Sequence, residues 1–509
     1  MFGSVSARVA QTFLGVFLLF GLPVSRAWGQ ADVKGRWSTL PYPMPINPIH
    51  VALLHNGKIL VVAGSGNCVP GHPSCPAGAP YGPSNKSGAV ILDTSTGKIT
   101  GLTVTWDMFC NSMTQLADGR ILIDGGTATM GYPQLLGARN ASIFDPTTKT
   151  FTDQPNMAHG RWYPTIVLLS DGRVMTFSGR DEVTGATNTT VEIFTVGSGW
   201  SSPVAAGWTP PLYPRLHLLP SGNVFYSGPS QVSYMFNVSS KTWTKMNSSR
   251  AYGRTYGSSV LLPLTPANNY DPKVLVLGGN SPATATTELI DLAASSPRWV
   301  YGPNMSQPRI EMDAVMLPTG RVLALGGSAI DENATTASLN ADLYDPKTNR
   351  FSSAGKNAYA RLYHTVALLL PDATVWLGGS NPSRGNYESR MEIYQPAYLF
   401  TRDVNHNLIA ATRPTIAGAP GSISWGSTFT VSTPDAPNIS QVVLVRPGSS
   451  THAFDMDQRL VGMSFTAGSS TLSVTAPGNA KVAPPGYYML FLINKKGIPS
   501  VASFVLIRR

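Results

Sequence analysis

The chain has 509 residues, of which 13% are charged, and it contains 49 glycines and 41 prolines. This length suggests two or three domains, and the composition favours many short strands and turns over helices. The formal net charge is +10, but the basic residues are scattered, with no basic run and no stripe interleaved with aromatic residues. The composition therefore predicts no nucleic-acid partner and makes a cell-surface polysaccharide the better polyanionic candidate.

Residues 1–29 have the pattern of a secretory signal peptide. Arg8 precedes an apolar run that reaches about Val24, and small residues follow at Ala27, Gly29 and Ala31. An uncleaved membrane anchor is the alternative, but the run is slightly short for a membrane span and a cleavage site follows it. We therefore predict a secreted protein (extracellular, cell-surface or, in a bacterial host, periplasmic) with no stable membrane span.

The three cysteines divide into a close pair and a single residue. Cys68 and Cys75 are seven residues apart in "NCVPGHPSC" and could close a small disulfide loop. Cys110, in "WDMFCNS", is then the odd thiol of an exported chain, which is an unusual place for a free cysteine.

A turn, a β-rich run and a pair of small residues recur seven times before residue 400. The seven segments are "HNGKILVVAGS", "ADGRILIDGG", "SDGRVMTFSG", "PSGNVFYSG", "YDPKVLVLGG", "PTGRVLALGG" and "PDATVWLGG". A period of roughly 50 residues with Gly-Gly after the second strand is typical of a kelch-type blade. We predict a seven-bladed kelch-type β-propeller over residues 30–405, since a β-sandwich array would not keep this period.

The repeat stops near residue 400, and a different pattern of short alternating strands follows. It includes "TLSVTAP" and "GYYMLFLINKKGIPSVASFVLI". Residues 406–509 therefore suit an immunoglobulin-like β-sandwich, which lacks the cysteine pair of antibody domains. The predicted fold class is all-β.

One position of the repeat carries chemically active residues. The residue eight places before the turn is Cys110, Tyr163, Tyr213 and Glu311 in blades two, three, four and six, and His364 follows Tyr363 in blade seven. We expect these residues to begin the inner strands and to converge on the propeller axis. A tyrosine at a strand start usually packs and a lone histidine is usually structural, but convergence at one repeat position favours a redox-capable site.

The motifs "FCNS", "RWYPT", "RLYHTVALLLPD" and "STHAFDMDQR" resemble the copper-binding motifs of the copper radical oxidases, the glyoxal oxidase and galactose oxidase family. The resemblance covers nearly the whole chain after the signal peptide and is closer to the glyoxal oxidase branch. It implies one copper ion held by Tyr163, Tyr363, His364 and His452. It also implies a thioether-linked Cys110–Tyr163 radical cofactor, with Tyr363 as the axial tyrosine that takes the substrate proton.

The resemblance implies an oxidase that converts small glyoxal-like aldehydes or primary alcohols with O2 and yields hydrogen peroxide, as a monomer. Mixed imidazole and phenolate ligands suit Cu(II) better than zinc or magnesium. The alternative is a non-catalytic kelch propeller that binds glycans or a protein partner at the cell surface. A binding protein, however, has no need of Cys110 beside Tyr163.

The sequence departs from galactose oxidase at the tryptophan that lies over the cross-linked tyrosine. Asp181 stands in that neighbourhood, and Trp162 is expected to point away from Tyr163 because neighbouring strand residues face opposite sides. Two acids near His452 could either orient its ring or serve a turn; they are Asp455 and Asp457. Four pocket residues are predicted from repeat position alone: Tyr213, Arg215, Glu311 and Asp313.

Overall fold

The computed structural model describes residues 30–64, 88–129, 135–383 and 386–508. The predicted signal peptide and the pair Cys68 and Cys75 lie outside the described residues. Within them, the helical segments are α1 (Ala31–Lys34) and four short 3-10 turns (Pro266–Asn268, Ala334–Thr336, Ala397–Leu399 and Ala436–Asn438). The predicted all-β class is confirmed. No helix in the described ranges has the length and apolar character needed to cross a membrane.

Seven antiparallel sheets, here called blades 1 to 7, follow one another along the described part of residues 36–395. The first strand, β1 (Arg36–Thr39), belongs to blade 7. Blade 1 has β2 (His50–Leu53), β3 (Ile59–Val62), β4 (Ala89–Asp93) and β5 (Lys98–Leu102). Blade 2 has β6 (Ser112–Gln115), β7 (Ile121–Asp124), β10 (Ala141–Asp145) and β11 (Thr150–Gln154), with a small hairpin of β8 (Thr127–Thr129) and β9 (Leu136–Gly137). Blade 3 has β12 (Trp162–Leu168), β13 (Val174–Arg180), β14 (Thr190–Thr195), β15 (Gly199–Trp200) and β16 (Val204–Ala205).

The remaining blades have the same antiparallel order. Blade 4 has β17 (Arg215–Leu218), β18 (Val224–Gly228), β19 (Val232–Asn237) and β20 (Thr242–Ser249). Blade 5 has β21 (Ser258–Leu261), β22 (Lys273–Leu277), β23 (Thr287–Asp291) and β24 (Trp299–Tyr301). Blade 6 has β25 (Ile310–Met316), β26 (Val322–Ser328), β27 (Asn340–Asp345) and β28 (Arg350–Lys356), and blade 7 has β29 (Val366–Leu369), β30 (Val375–Gly378), β31 (Glu392–Gln395) and β1.

The blades form a closed ring. The inner strands β2, β6, β12, β17, β21, β25 and β29 each contact the next in this order, and β29 contacts β2. The amino-terminal strand β1 completes blade 7 by pairing with β31, with Arg36 opposite Gln395. Radial repetition of small sheets is one of the ways in which all-β folds limit exposed sheet edges.

A buried arginine ahead of the inner strand holds four of the blades together. Each pairs with an acid of the third strand of its own blade: Arg161–Glu192 at 2.9 Å, Arg254–Glu288 at 2.7 Å, Arg309–Asp342 at 2.6 Å and Arg361–Glu392 at 2.8 Å. The backbone carbonyl of such an arginine also accepts a hydrogen bond from the small-residue pair of the preceding blade. In blade 3, the Gly126 N–H donates to Arg161 O at 2.8 Å. A Cβ on Gly125, whose φ is +68°, would lie 2.4 Å from the same oxygen. The repeated Gly-Gly pair therefore follows from this contact between blades.

The carboxyl-terminal part forms a two-sheet sandwich, as predicted. A hairpin of β32 (Phe400–Arg402) and β33 (Leu408–Ala410) precedes it. The sandwich strands are β34 (Ser422–Ile423), β35 (Thr428–Ser432), β36 (Ile439–Val445), β39 (Leu460–Met463), β40 (Phe465–Ala467), β41 (Thr471–Thr475), β42 (Gly486–Asn494) and β43 (Ser503–Ile507). The two sheets have the orders β34-β43-β42-β36-β39 and β35-β41-β40, and they enclose a separate apolar core that includes Val442, Leu472 and Leu490.

One hairpin of the sandwich enters the ring. Its strands are β37 (Ser449–Thr451) and β38 (Phe454–Asp455), which lie between β36 and β39 in sequence. Strand β37 pairs with β2, with Ser450 opposite Val51 and Ser449 opposite Ala52. The hairpin also contacts the inner strands β6, β25 and β29. It therefore lies at the centre of the ring, where the inner strands of several blades meet.

Candidate active site

The structure brings the five predicted site residues together at the centre of the ring. One ligand-type atom from each of Cys110, His364 and His452 lies within 4.8 Å of the other two, and all three residues are buried. The ring of Tyr163 lies 4.7 Å from that of His452, and the ring of Tyr363 lies 4.1 Å from that of His364, centroid to centroid. The hydroxyls of Tyr163 and Tyr363 are in direct hydrogen-bond contact.

A shared backbone conformation directs these side chains to the centre. Cys110, Tyr163 and His364 have φ values of +61°, +69° and +65°. Tyr213, Tyr256 and Glu311 have positive φ at the same place in their blades, at +45°, +52° and +59°. Non-glycine residues rarely adopt this left-handed conformation, and such strain concentrates at functional sites. Backbone hydrogen bonds link the neighbours, since Tyr163 N–H donates to Cys110 O and Tyr213 N–H donates to Tyr163 O, both at 3.0 Å.

Hydrogen bonds fix the orientation of both imidazoles. The Nδ1 of His364 lies 3.1 Å from the side-chain oxygen of Asn381, which also accepts from Asn47. The Nδ1 of His452 lies 2.6 Å from the hydroxyl of Thr451, and that hydroxyl donates to a backbone carbonyl. Each Nδ1 therefore carries the proton, while the buried Nε2 atoms have no partner among the described residues. A protonated Nδ1 leaves the lone pair of Nε2 free for a metal.

Burial keeps the site neutral. It lowers the pKa of His364 to about 3 and the pKa of His452 well below its usual value, so both imidazoles are uncharged at neutral pH. Burial also raises the pKa of Cys110, Tyr163 and Tyr363 well above their ordinary values. The buried cluster thus disfavours bare negative charge and gains most from a cation that the phenols and imidazoles share.

Trp162 occupies a position that the sequence analysis predicted wrongly. Its ring stacks on Tyr163, with centroids 3.9 Å apart and an angle of 26° between the planes. The alternation of faces fails because the left-handed φ of Tyr163 rotates its side chain relative to the strand. The guanidinium of Arg180 lies 5.4 Å above the same indole. Asp181 binds the backbone of Val183 and therefore serves a turn.

The four predicted pocket residues have different contacts in the structure. Tyr213 stacks on His452 at 4.5 Å and its hydroxyl donates to the carbonyl of Asn111. Arg215 donates to the backbone oxygen of His452 at 2.9 Å, and Asp313 accepts from the hydroxyl of Ser450 at 3.2 Å. Arg215 and Asp313 therefore hold the β37–β38 hairpin. Glu311 is buried, and its N–H donates to the carbonyl of Tyr256 at 2.9 Å.

Asp455 and Asp457 serve turns and anchoring, and the suggested contact with His452 is wrong. Asp455 accepts from the backbone N–H of Ser449 at 2.8 Å. Asp457 accepts from the hydroxyl of Thr114 at 2.6 Å and from the N–H of Gln115 at 2.8 Å. Thr451 makes the contact with His452 Nδ1 that these acids were expected to make. Asp457 thus fixes the hairpin to β6.

Two central residues were missed from the sequence. Tyr256 is the blade 5 member of the left-handed set, and its ring lies 5.7 Å from Tyr363. The turn of blade 5 is longer than the others, so counting back from the turn missed it, whereas counting two residues back from the inner strand finds it. His50, at the start of β2, is fully buried 5.7 Å from the ring of His452, and both its nitrogens lack partners among the described residues.

Comparison with protein families decides the assignment. Residues 49–398 match the model described as "Glyoxal oxidase N-terminus", and residues 413–507 match the "Galactose oxidase-like, Early set domain". The chain belongs to the glyoxal oxidase family. The resemblance to copper radical oxidases that the motifs indicate is thereby confirmed.

Individual relatives and a solved structure support the same family assignment. The chain is 30% identical to an aldehyde oxidase, GLOX, of Vitis pseudoreticulata, over 93% of this chain and 97% of the relative. It is 29% identical to a galactose oxidase of Gibberella zeae, over 92% of this chain and 70% of the relative. A solved fungal alcohol oxidase of the AA5 family, in complex with copper, shares the fold with a TM-score of 0.78 and 24% identity, over 94% of this chain and all of that one.

The donor set fits one copper ion. Two neutral imidazoles present unpartnered Nε2 atoms, and two phenol oxygens meet in the same cluster. This combination of nitrogen and oxygen donors suits Cu(II). Cys110 lies in the same cluster, and its side chain is fully buried.

Proposed function

We propose that this chain is a secreted copper radical oxidase that oxidises small aldehydes or primary alcohols with O2 and releases hydrogen peroxide. Membership of the glyoxal oxidase family makes the chain a copper-dependent oxidoreductase. The observation that carries the proposal is the convergence of Cys110, two tyrosine hydroxyls and two imidazoles with unpartnered Nε2 atoms in one cluster. A propeller that only binds glycans or a protein has no use for this donor set.

The proposed metal ligands are Tyr163, Tyr363, His364 and His452. The proposed cofactor is a thioether between the sulfur of Cys110 and a ring carbon of Tyr163. Its formation makes one C–S bond and removes one hydrogen from the ring and one from the thiol, and O2 accepts the two electrons and two protons. The backbone hydrogen bond from Tyr163 N–H to Cys110 O supports the pairing, because it holds the two residues side by side.

The two tyrosines have different roles in the proposed reaction. Tyr163 is buried beneath Trp162 and Tyr213, and it is the store for one of the two electrons that an alcohol or aldehyde hydrate gives up. Tyr363 is only partly buried and faces Tyr256, and its oxygen, which would lose its proton when the metal binds, is the proposed base for the substrate proton. Copper, when bound, would accept the other electron and make the substrate hydroxyl more acidic.

Export and the domain boundaries are part of the same proposal. Residues 1–29 are proposed as a cleaved signal peptide, residues 30–405 as the propeller and 406–509 as the sandwich. Amino-terminal sequencing of the mature protein from its host tests the first boundary. Cleavage after the signal peptide predicts that the mature chain starts at about residue 30. The monomeric state and the cell-surface polysaccharide partner remain predictions that size-exclusion chromatography and polysaccharide pull-down can test.

A coupled peroxide assay tests the activity. The copper-loaded protein is assayed with a panel of aldehydes, primary alcohols and sugars, and we expect peroxide from small aldehydes or primary alcohols. The matched control is Cys110→Ser, which changes one buried atom and keeps the four proposed ligands. It should bind copper and fold normally but lose peroxide production. Wild-type turnover in this variant would contradict the proposed cofactor, and absence of peroxide from the wild-type protein with every substrate would contradict the proposed activity.

A further inference from the structure

Arg250 is a buried cation far from any role in the proposed copper site. It lies between the last strand of blade 4 and the first strand of blade 5, and it is 2% exposed. None of its three guanidinium nitrogens has a hydrogen-bond partner among the described residues. Burial lowers the pKa of Arg250 to about 10, which still leaves the guanidinium charged at neutral pH. The protein therefore holds this charge inside without a hydrogen-bonded acid.

The same position of the blade repeat is uncharged in other blades. Arg250 lies four residues before Arg254, the buried arginine of blade 5. The residues four places before the corresponding arginines of blades 3, 6 and 7 are all buried; they are Met157, Met305 and Asn357. Packing at this position is thus satisfied by an uncharged side chain. A charge placed there costs stability unless something neutralises it, so Arg250 indicates a ligand.

The nearest acid is already occupied. One carboxyl oxygen of Glu288 accepts from Nη2 of Arg254 at 2.7 Å and from its Nε at 2.8 Å, and the other accepts from the N–H of Ala251 at 3.0 Å. In blades 3, 6 and 7, one buried arginine pairs with one acid. No described acid pairs with Arg250, so the joint between blades 4 and 5 carries one positive charge in excess. A single monovalent anion would balance that charge.

The surroundings of Arg250 hold its guanidinium in place. The ring centroid of Trp299, in blade 5, lies 5.2 Å from the guanidinium carbon. On the side of blade 4, a Cβ on Gly228 would lie 3.2 Å from Nη2, so the absence of a side chain there leaves the guanidinium its space. The backbone is fixed as well, because Arg250 N–H donates to Gln231 O at 2.9 Å and the Gln231 side chain donates back to Arg250 O at 2.9 Å. The N–H groups therefore remain available to an acceptor that comes from solution.

We propose that Arg250 forms an internal binding site for a small monovalent anion of the halide type, such as chloride, at the joint between blades 4 and 5. The anion accepts hydrogen bonds from the guanidinium and balances the second arginine of the joint. The depth of the site favours a small ion, and the excess of one positive charge favours a monovalent one. This inference does not depend on the proposed oxidase activity.

The response of thermal stability to chloride tests the proposal. The copper-loaded full-length mature protein is dialysed free of chloride and heated in mixtures of sodium chloride and sodium gluconate of constant ionic strength, since gluconate is too large for the site. Raising chloride from about 1 to about 300 mM should raise the Tm of the wild-type protein by about 1–3 °C, because the anion binds only the folded chain. Arg250→Met introduces the residue that blades 3 and 6 have at this position, so it should fold and lose this response.

Arg350→Met is the matched control. It makes the same change of residue and charge at an exposed arginine, and it should keep the wild-type response to chloride. Any effect of chloride at the copper ion is common to all three proteins, so the difference between them isolates Arg250. An equal rise of Tm in the wild type and in Arg250→Met, or no difference between chloride and gluconate in the wild type, would overturn the inference.

Bromide locates the ion directly and keeps the test independent of the variant. Crystals of the wild-type protein in sodium bromide should show an anomalous difference peak within about 3.5 Å of the guanidinium nitrogens of Arg250. The absence of a peak there would overturn the inference. A peak without a chloride response in solution would mean binding at crystal concentration only, and it would overturn the inference as well. Each of these failures would leave the oxidase proposal standing, because none of them concerns peroxide production or the Cys110–Tyr163 cross-link.

Discussion

At the residue scale, the most informative feature is the enclosure of Tyr163. Trp162 stacks on its ring at 3.9 Å, and Tyr213 lies against it at 4.6 Å. The guanidinium of Arg180 covers the outer face of Trp162. Tyr163 is only 7% exposed, so these groups shield it from water. An oxidised tyrosine in this place would be protected from solvent reductants.

Trp162 should determine how long the oxidised Tyr163 survives. Replacing Trp162 with Leu removes the stacking, worth about 0.5–1.5 kcal/mol, and opens one face of the ring. We expect a shorter half-life of the oxidised Cys110–Tyr163 unit, measured by electron paramagnetic resonance after chemical oxidation of copper-free protein that carries the cross-link. Trp162→Phe keeps an aromatic ring and should lie between Leu and the wild type. An unchanged half-life in Trp162→Leu would show that the stack has no protective role.

At the element scale, four of the blades combine a strand start in a left-handed conformation with a buried ion pair close to it. The arginine of each pair lies two or three residues before the residue of its blade that has a left-handed φ and points to the centre of the ring. The arginines are Arg161, Arg254, Arg309 and Arg361. The guanidinium of Arg254, for example, also donates to the carbonyl of Gly278 at 2.8 Å. The arginines thus connect the small-residue pairs, the third strands and the residues that form the site.

Breaking one of these pairs should destabilise the fold strongly. Arg254→Met leaves the buried carboxylate of Glu288 without its partner, which costs about 3–5 kcal/mol. Lys273→Ala is the control, because the pair of Lys273 with Asp291 is largely exposed and its loss should cost less than about 1 kcal/mol. Urea unfolding followed by tryptophan fluorescence measures both. Equal effects of the two substitutions would contradict the role given to the buried arginines.

Much of this element-scale order was predictable, because the Gly-Gly pair and the turn before it recur in the sequence. That period led to the ring of sheets and to Cys110, Tyr163 and His364. The position of Trp162 was not predictable, since it depends on the left-handed φ of Tyr163. Tyr256 was missed because blade 5 has an irregular turn. Arg215 and Asp313 were placed in a pocket because the sequence does not show that the β37–β38 hairpin fills the centre of the ring.

At the scale of the whole molecule, the sandwich and the ring share a sheet. The hairpin that carries His452 pairs with β2 of blade 1, and Asp457 binds Thr114 and Gln115 of blade 2. Arg446 of the sandwich donates to the carbonyl of Gln115 at 2.6 Å. The ring alone therefore lacks one imidazole of the site and the hairpin that fills its centre.

This sharing predicts that the metal-free protein unfolds in one cooperative transition. Loss of the sandwich would expose the centre of the ring, and loss of the ring would leave the buried side chains of the hairpin in water. Differential scanning calorimetry should give a single peak whose calorimetric and van't Hoff enthalpies agree. Two separated transitions would mean that the ring and the sandwich unfold independently.

The mass of the peptides around Cys110 and Tyr163 tests the central claim most directly. The protein is treated with copper in air, reduced, alkylated and digested, and its peptides are compared with those of protein kept free of copper. The account predicts one species that contains both residues, lighter by about two hydrogens than the sum of the separate peptides and resistant to reductant. A Cys110 that is fully alkylated after this treatment, with the Tyr163 peptide unchanged, would contradict the account.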